Sequence, residues 1–421
     1  MARSIPPTNK ERKETMTTGK ALDGKPYAGN PHVLFDEGEV APAAKPRRGS
    51  LLYKTTERLM SLDALRGFDM FFITGGSVMI AGICAALGSP DGWLAQQMGH
   101  VKWEGLRHHD TIFPLFLFMM GVSWPFSLAS QLAKGRTTSR ILLRIIQRTA
   151  VLFLLGLSFY GIMKFSTHFR VMGVLQFLAL SWGLAATLYL FVRNKWALLA
   201  VAAGILVAHY ALLHFAIAPN APADASSYAA QWNILGYWDR ALYPNHMLPK
   251  RLTEPESIFQ VPAASALVMF GIIAGSVLKN REGTPVWRAP AVLAAFAAGC
   301  GLCGWLFAGC LGDPVIKNLT TASFVLVVAA YSFAMLCLFH VIVDVLGFRR
   351  WTVMFDPVGK NSILAYFLAM TGVQAALKKF YLSGLVNASG EWGTAVGGLG
   401  AYLIVWGFLL WLRNNKVFLK V

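Results

Sequence analysis

From residue 67 onward the chain alternates apolar blocks of helix-spanning length with shorter polar connections. An α-helix rises about 1.5 Å per residue, so about twenty apolar residues cross the hydrocarbon core of a bilayer. Blocks of that length lie at 67–87, 112–132, 141–162, 171–192, 196–218, 258–278, 288–309, 319–346, 361–380 and 393–412. The pattern predicts an all-α, polytopic transmembrane bundle of about ten helices. Residues 1–55 carry Pro, Gly, Lys and Arg without an apolar run and are expected to form a disordered tail. Residues 56–421 form the membrane domain. No signal-peptide apolar stretch precedes the first block, so that block is read as an uncleaved anchor.

Composition supports this reading. Hydrophobic residues make up 55% of the 421 and charged residues 14%, whereas a soluble domain carries about a quarter charged. The net charge of +17 suggests nucleic acid only until the charges are placed on the chain. With an even number of spans both termini share one side, and 28 of the 38 Lys and Arg fall on that side. Basic residues collect on cytoplasmic loops, so both termini are expected in the cytoplasm, and no nucleic-acid partner is implied. Cys300 and Cys303 form a CxxC within an apolar run of small residues, which reads as packing rather than metal or redox chemistry.

This orientation exports two loops, 88–111 and 219–257, both rich in aromatic, basic and acidic residues. The first contains His100, Trp103, His108, His109 and Asp110, and the second contains Asp239, Arg240 and Glu256. An imidazole at the membrane edge suits general-base work, and Asp110 stands where a carboxylate favours a helix N-terminus. His108, His109 and Asp110 are adjacent and point different ways on a helix, so no metal site is expected. On the other side, Asp63 and Arg66 open the first span, and Arg140, Arg144 and Arg148 share one helix face. Arg144 and Arg148 enter an apolar stretch, where charge is costly unless paired or wetted. A phosphate-bearing ligand would satisfy them, and so would simple positive-inside decoration. Gln176, Asn361 and Ser362 are polar groups in or beside spans and are expected to face the bundle interior. Small-residue runs in 393–412 suit either packing within the chain or a homodimer. These features fit a transporter or a transmembrane transferase about equally.

Several ordered motifs from about Arg58 to the C-terminus resemble the heparan-α-glucosaminide N-acetyltransferase family. They are RLMSLDALRGFDMF, GHVKWEGLRHHDTIFPLFLFMMGVS, RVMGVLQ, WDRALYPNHML with EPES, PVIKNLTTASFVL and DPVGKNSILAYF. The resemblance implies an acyltransferase domain that takes acetyl from cytoplasmic acetyl-CoA and delivers it to a glucosamine-type amine across the membrane. The family's active-site histidine precedes Trp-x-Gly and then Asp-x-x-Phe-Pro, which places it at His100, with Asp110 as partner. The resemblance also draws attention to Asp63, Arg170, Lys317 and Asn318. On this reading the CoA-binding set is Arg66, Arg144, Arg148, Gln176, Asn361 and Ser362, the acceptor set is Trp103, Asp239, Arg240 and Glu256, and no metal is expected.

Two departures bear on the reading. The luminal N-terminal domain of the lysosomal enzyme has no counterpart here, which points to the cytoplasmic (inner) membrane of a bacterium. The family's Asp-Pro-Glu-Gly reads Glu254-Pro255-Glu256-Ser257, which leaves the acceptor open. Direct transfer to the amine and transfer through an acetyl-histidine are both compatible with the sequence. The rival function is secondary transport of N-acetylglucosamine or a related amino sugar, and the lack of an internal repeat counts against it.

Overall fold

The computed structural model describes residues 59–159, 169–280 and 284–419, and the expected tail of residues 1–55 lies outside them. The described residues contain no sheet, only a bridge between Ile217 and Asn233. The first span runs through α1 (Met60–Phe71), a π-turn at Phe72–Gly76 and α2 (Ser77–Ala86), followed by a short α3 (Trp93–Gln97). Four long helices follow: α4 (His108–Ala133), α5 (Thr138–Phe159), α6 (Val174–Phe191) and α7 (Lys195–Phe215). A short α8 (Ile234–Leu242) lies in the long connection before α9 (Val261–Lys279), α10 (Arg288–Cys310) and α11 (Ala322–Phe339). The chain closes with α12 (Asp356–Lys360), α13 (Ser362–Met370), α14 (Val373–Ala388) and α15 (Gly393–Asn414).

Among the described residues, nine helical stretches are long and apolar enough to cross a membrane. They coincide with nine of the ten expected blocks, and the protein is a helical membrane bundle. The block expected at 361–380 is divided instead into α13 and α14. The break falls at Gly372, whose φ of 78° lies in the left-handed region where glycine is favoured. Gln374, just past this break, is buried and donates to the carbonyls of Thr74 and Ala401. Thr74 belongs to the π-turn of the first span, where the regular helical ladder is interrupted. In lipid every backbone polar group needs an internal partner, so one irregularity helps satisfy the other.

The centre of the bundle is the α4–α9 pair, with α6, α7 and α11 packed around it. A Cβ added to Gly121 would lie 2.2 Å from the Val268 carbonyl oxygen, and one on Gly271 would lie 2.1 Å from that of Phe118. The backbones are therefore in direct contact, as small residues permit in membrane helix pairs. A second close crossing joins α1 to α12, where a Cβ on Gly359 would sit 1.8 Å from the Asp63 carbonyl oxygen. Replacing Gly359 by Ala is expected to destabilise the protein by about 1–3 kcal/mol through overpacking. A thermal-unfolding series in detergent would show it, and a melting temperature equal to the parent's would contradict this packing.

Candidate active site

The site at the outer expected loops is built on the N-terminus of α4. Asp110 is the third residue of that helix and completely buried. One carboxylate oxygen accepts from the backbone N–H groups of Val101, at 3.2 Å, and Arg107, at 3.3 Å. A carboxylate here complements the helix dipole and caps free N–H groups, which explains why the local sequence folds this way. The other oxygen, Oδ1, faces His100 Nδ1 at 2.7 Å and Lys317 Nζ at 3.3 Å. Asp110 therefore accepts the Nδ1–H and leaves Nε2 as the lone-pair nitrogen. The His100 side chain is 56% exposed, so a reactant can approach Nε2 while Nδ1 stays anchored. Lys317 also lies 3.3 Å from Nδ1; with that nitrogen already donating to Asp110, its ammonium serves the carboxylate.

The three adjacent residues at the start of α4 do point different ways. His108 packs on Phe72, with ring centroids 4.3 Å apart, and lies near Tyr331. The His109 ring sits 4.6 Å from that of His100, and its Nδ1 is 3.0 Å from the Ser77 hydroxyl. Asp110 alone of the three hydrogen-bonds to His100 and Lys317, while the His109 ring packs on that of His100.

The two long loops meet. Trp103 Nε1 donates to the Tyr228 carbonyl at 3.0 Å, and the Gly105 N–H donates to that of Val315 at 2.8 Å. In the second loop Arg170 bridges Glu254 and Glu256, with Glu254 fully buried and Glu256 partly exposed. Burial pushes the Glu254 carboxyl up to about 6, with Arg170 opposing the shift. Asp239 accepts from the Ser257 hydroxyl at 2.6 Å, the Glu254 N–H at 3.1 Å and the Tyr243 hydroxyl. Burial raises its pKa against those bonds. Arg240 donates to the carbonyls of Leu252 and Gln231. Asp239 and Arg240 thus fix the loop around Glu254-Pro255-Glu256. Gln260 ties that loop to the Lys317 segment: its amide nitrogen donates to Glu254 O at 3.1 Å and Asn318 O at 2.8 Å. Thr320 returns a bond of 2.7 Å to its amide oxygen. Neither Gln260 nor Ser77 stands out in the sequence, because each partner is far away along the chain.

A second polar cluster runs inside the bundle between α1, α4, α5 and α6. Arg66 pairs with Asp63 at 3.3 Å and donates to the Ser123 hydroxyl. Beside Ser123, the Trp124 ring packs edge-on against Trp182, at 5.3 Å, and the Arg148 guanidinium lies 4.3 Å over the Trp182 ring. Further along α6, Gln176 is completely buried against Gly156. Buried side-chain atoms without a hydrogen-bond partner gather here: Arg148 Nε, Gln176 Nε2 and Oε1, Ser181 Oγ, and Nε1 of Trp124 and Trp182. Buried polar groups are ordinarily bonded, so this run of unmet donors and acceptors sets the cluster apart. Of the expected CoA-binding set, Arg66, Arg148 and Gln176 belong to this cluster, and Arg144 lies one turn before Arg148 on α5. Asn361 sits at the α12–α13 junction, where its amide donates to Val417 O at 3.3 Å and accepts from Leu419 N at 2.9 Å. It clamps the C-terminal segment, with the buried Ser362 beside it.

No protein-family model matches the chain. Over 367 residues it is 25% identical to heparan-alpha-glucosaminide N-acetyltransferase of Mus musculus, covering 75% of this chain and 54% of that protein. Over 383 residues it is 25% identical to the Homo sapiens protein of the same name, covering 78% and 54%. The chain is a distant relative of these enzymes. It spans about half the length of the curated relatives it matches.

Proposed function

We propose that this protein is a membrane N-acetyltransferase that moves acetyl from acetyl-CoA to the amine of a glucosamine-type sugar. The observation that carries the reading is the His100–Asp110 pair, in which Nδ1 is anchored on a buried carboxylate while the imidazole is more than half exposed. His100 Nε2 takes the amine proton as the nitrogen attacks the acetyl carbonyl. An N–C bond forms, the C–S bond breaks, and the thiolate leaves and recovers the proton. A positioned base of this kind contributes about 10²–10⁴ in rate. Asp110 holds the tautomer and stabilises the imidazolium, as a carboxylate does behind a catalytic histidine. Glu256 and Trp103 hold the sugar, while Asp239 and Arg240 position them.

As a donor path, the polar cluster between α1, α4, α5 and α6 suits acetyl-CoA chemically. Its unmet groups are amide, hydroxyl, indole and guanidinium, which match the amides of a pantetheine arm. Arg66 and Arg148, with Arg144, stand toward the Met60 end, where phosphates would enter. The excess of Lys and Arg at that end supports a cytoplasmic donor side with both termini in the cytoplasm.

Purified protein supplied with labelled acetyl-CoA and glucosamine is expected to yield labelled N-acetylglucosamine. Vesicle uptake of the sugar without acetyl-CoA, and no acetylated product, would favour the transporter instead. Gln176→Leu separates a donor contact from a packing residue. Removing a buried, unbonded amide is expected to leave thermal stability equal or higher, since such a group costs about 1–3 kcal/mol. At the same time the KM for acetyl-CoA should rise while that for the sugar stays. A stability loss with unchanged KM would show that Gln176 only packs helices.

A further inference from the structure

A cavity of about 160 Å³ opens among α7, α9 and α10 at the Met60 end of the bundle, away from the path between α4, α5 and α6. Its polar lining is Lys195, Arg288, Asn280, Thr284 and Ser276. Lys195 is the first residue of α7 and Arg288 the first of α10, so two cations from separate helices face one space. Among the described residues neither makes an ion pair with a carboxylate, and no carboxylate lines the cavity. Both side chains are exposed at the cavity rim, so an anion placed between them is attracted by both.

The surroundings indicate the kind of anion. α7 and α10 are among the least buried spans, with 28% and 17% of their apolar windows covered by protein. Their remaining apolar surface faces lipid. Trp196 and Trp287, each next to one of the two cations, are 61% and 57% exposed. Exposed tryptophans at span ends sit at headgroup depth, which places Lys195 and Arg288 at the level of lipid phosphates.

We propose that this cavity binds the headgroup of an anionic phospholipid. The phosphodiester lies between Lys195 and the Arg288 guanidinium, whose planar fork suits phosphate oxygens. The exposed Asn280 amide offers hydrogen bonds to headgroup hydroxyls. Two cations in one lining favour a headgroup of net negative charge over a zwitterionic one.

Native mass spectrometry of the full-length protein in detergent, titrated with phosphatidylglycerol or phosphatidylcholine, tests this. The parent is expected to retain one phosphatidylglycerol at a concentration about tenfold below that needed for phosphatidylcholine. K195Q/R288Q should lose the preference, whereas the charge-preserving K195R/R288K and the outer-loop control K102Q/K250Q should keep it. Equal retention of both lipids by the parent, or an undiminished preference in K195Q/R288Q, would overturn the proposal. Displacement of the lipid by millimolar inorganic phosphate or by acetyl-CoA would also overturn it, because the site would then belong to a soluble phosphate compound.

Discussion

Protein carrying Ala in place of His100 is expected to transfer acetyl about 10²–10⁴-fold more slowly than the parent, with an unchanged melting temperature. The two halves of that expectation rest on different facts. Rate falls because Nε2 is the His100 nitrogen left with a lone pair once Nδ1 donates to Asp110, on a ring that is more than half exposed. Stability holds because the removed ring is more than half exposed. Asp110 keeps two backbone N–H donors and the Lys317 ammonium without it. Single-turnover acetylation with saturating acetyl-CoA reads the first half and a thermal melt reads the second. Labelled acetyl trapped on the parent in the absence of sugar, and absent from His100→Ala, would replace direct transfer with an acetyl-histidine route.

The largest stability loss is expected from Arg170→Ala. Arg170 neutralises Glu254, which is completely buried, and also pairs with Glu256. Breaking a buried pair by removing one partner costs about 3–5 kcal/mol, because a carboxylate is left without compensation in a dry place. Arg170→Ala combined with Glu254→Gln should recover much of the loss, since a neutral amide needs no counter-ion. No difference between the single and double variants would contradict the pairing.

Glu254 also sets a pH dependence whose sign is fixed. Burial lifts its folded-state pKa from 4.5 to about 6, so the folded form binds the proton more tightly than the unfolded one. Its contribution is fully present below about pH 4.5, is lost as pH rises toward 6, and is flat above that. Arg170 opposes the lift, so in Arg170→Ala the decline should extend to higher pH. Melts across pH 4–8 compare the two profiles.

Much of the fold was legible in the sequence because lipid imposes a simple rule: a helix that crosses must be apolar over its whole length. Nine of the blocks read from that rule are single stretches in the structure. The block at 361–380 looked no different, since its break depends on Gly372 adopting a left-handed conformation and on Gln374 reaching back to Thr74. Hydropathy registers neither. In the site, Asp110 showed itself as a helix-start carboxylate ahead of an apolar run. Its contact with Lys317 spans 207 positions, and no local pattern reports it. The carboxylates of the second loop were visible as chemistry but not as architecture. Asp239 and Glu254 are held by Ser257, Tyr243 and Arg170, and that distinction appears only when the loop is folded. Asn361 likewise read as a polar group in search of a ligand, and its amide is bound by the C-terminal segment.

In the proposed reaction the bundle joins a donor entering at the Met60 end to an acceptor at the His100 end. Sided vesicles measure this most directly. Inside-out vesicles are loaded with glucosamine, labelled acetyl-CoA is supplied outside, and the sealed lumen is assayed for product. Labelled N-acetylglucosamine confined to the lumen, and lost with His100→Ala, is the expected result. Product formed only when donor and acceptor are on the same side, or at an equal rate in His100→Ala, would contradict it.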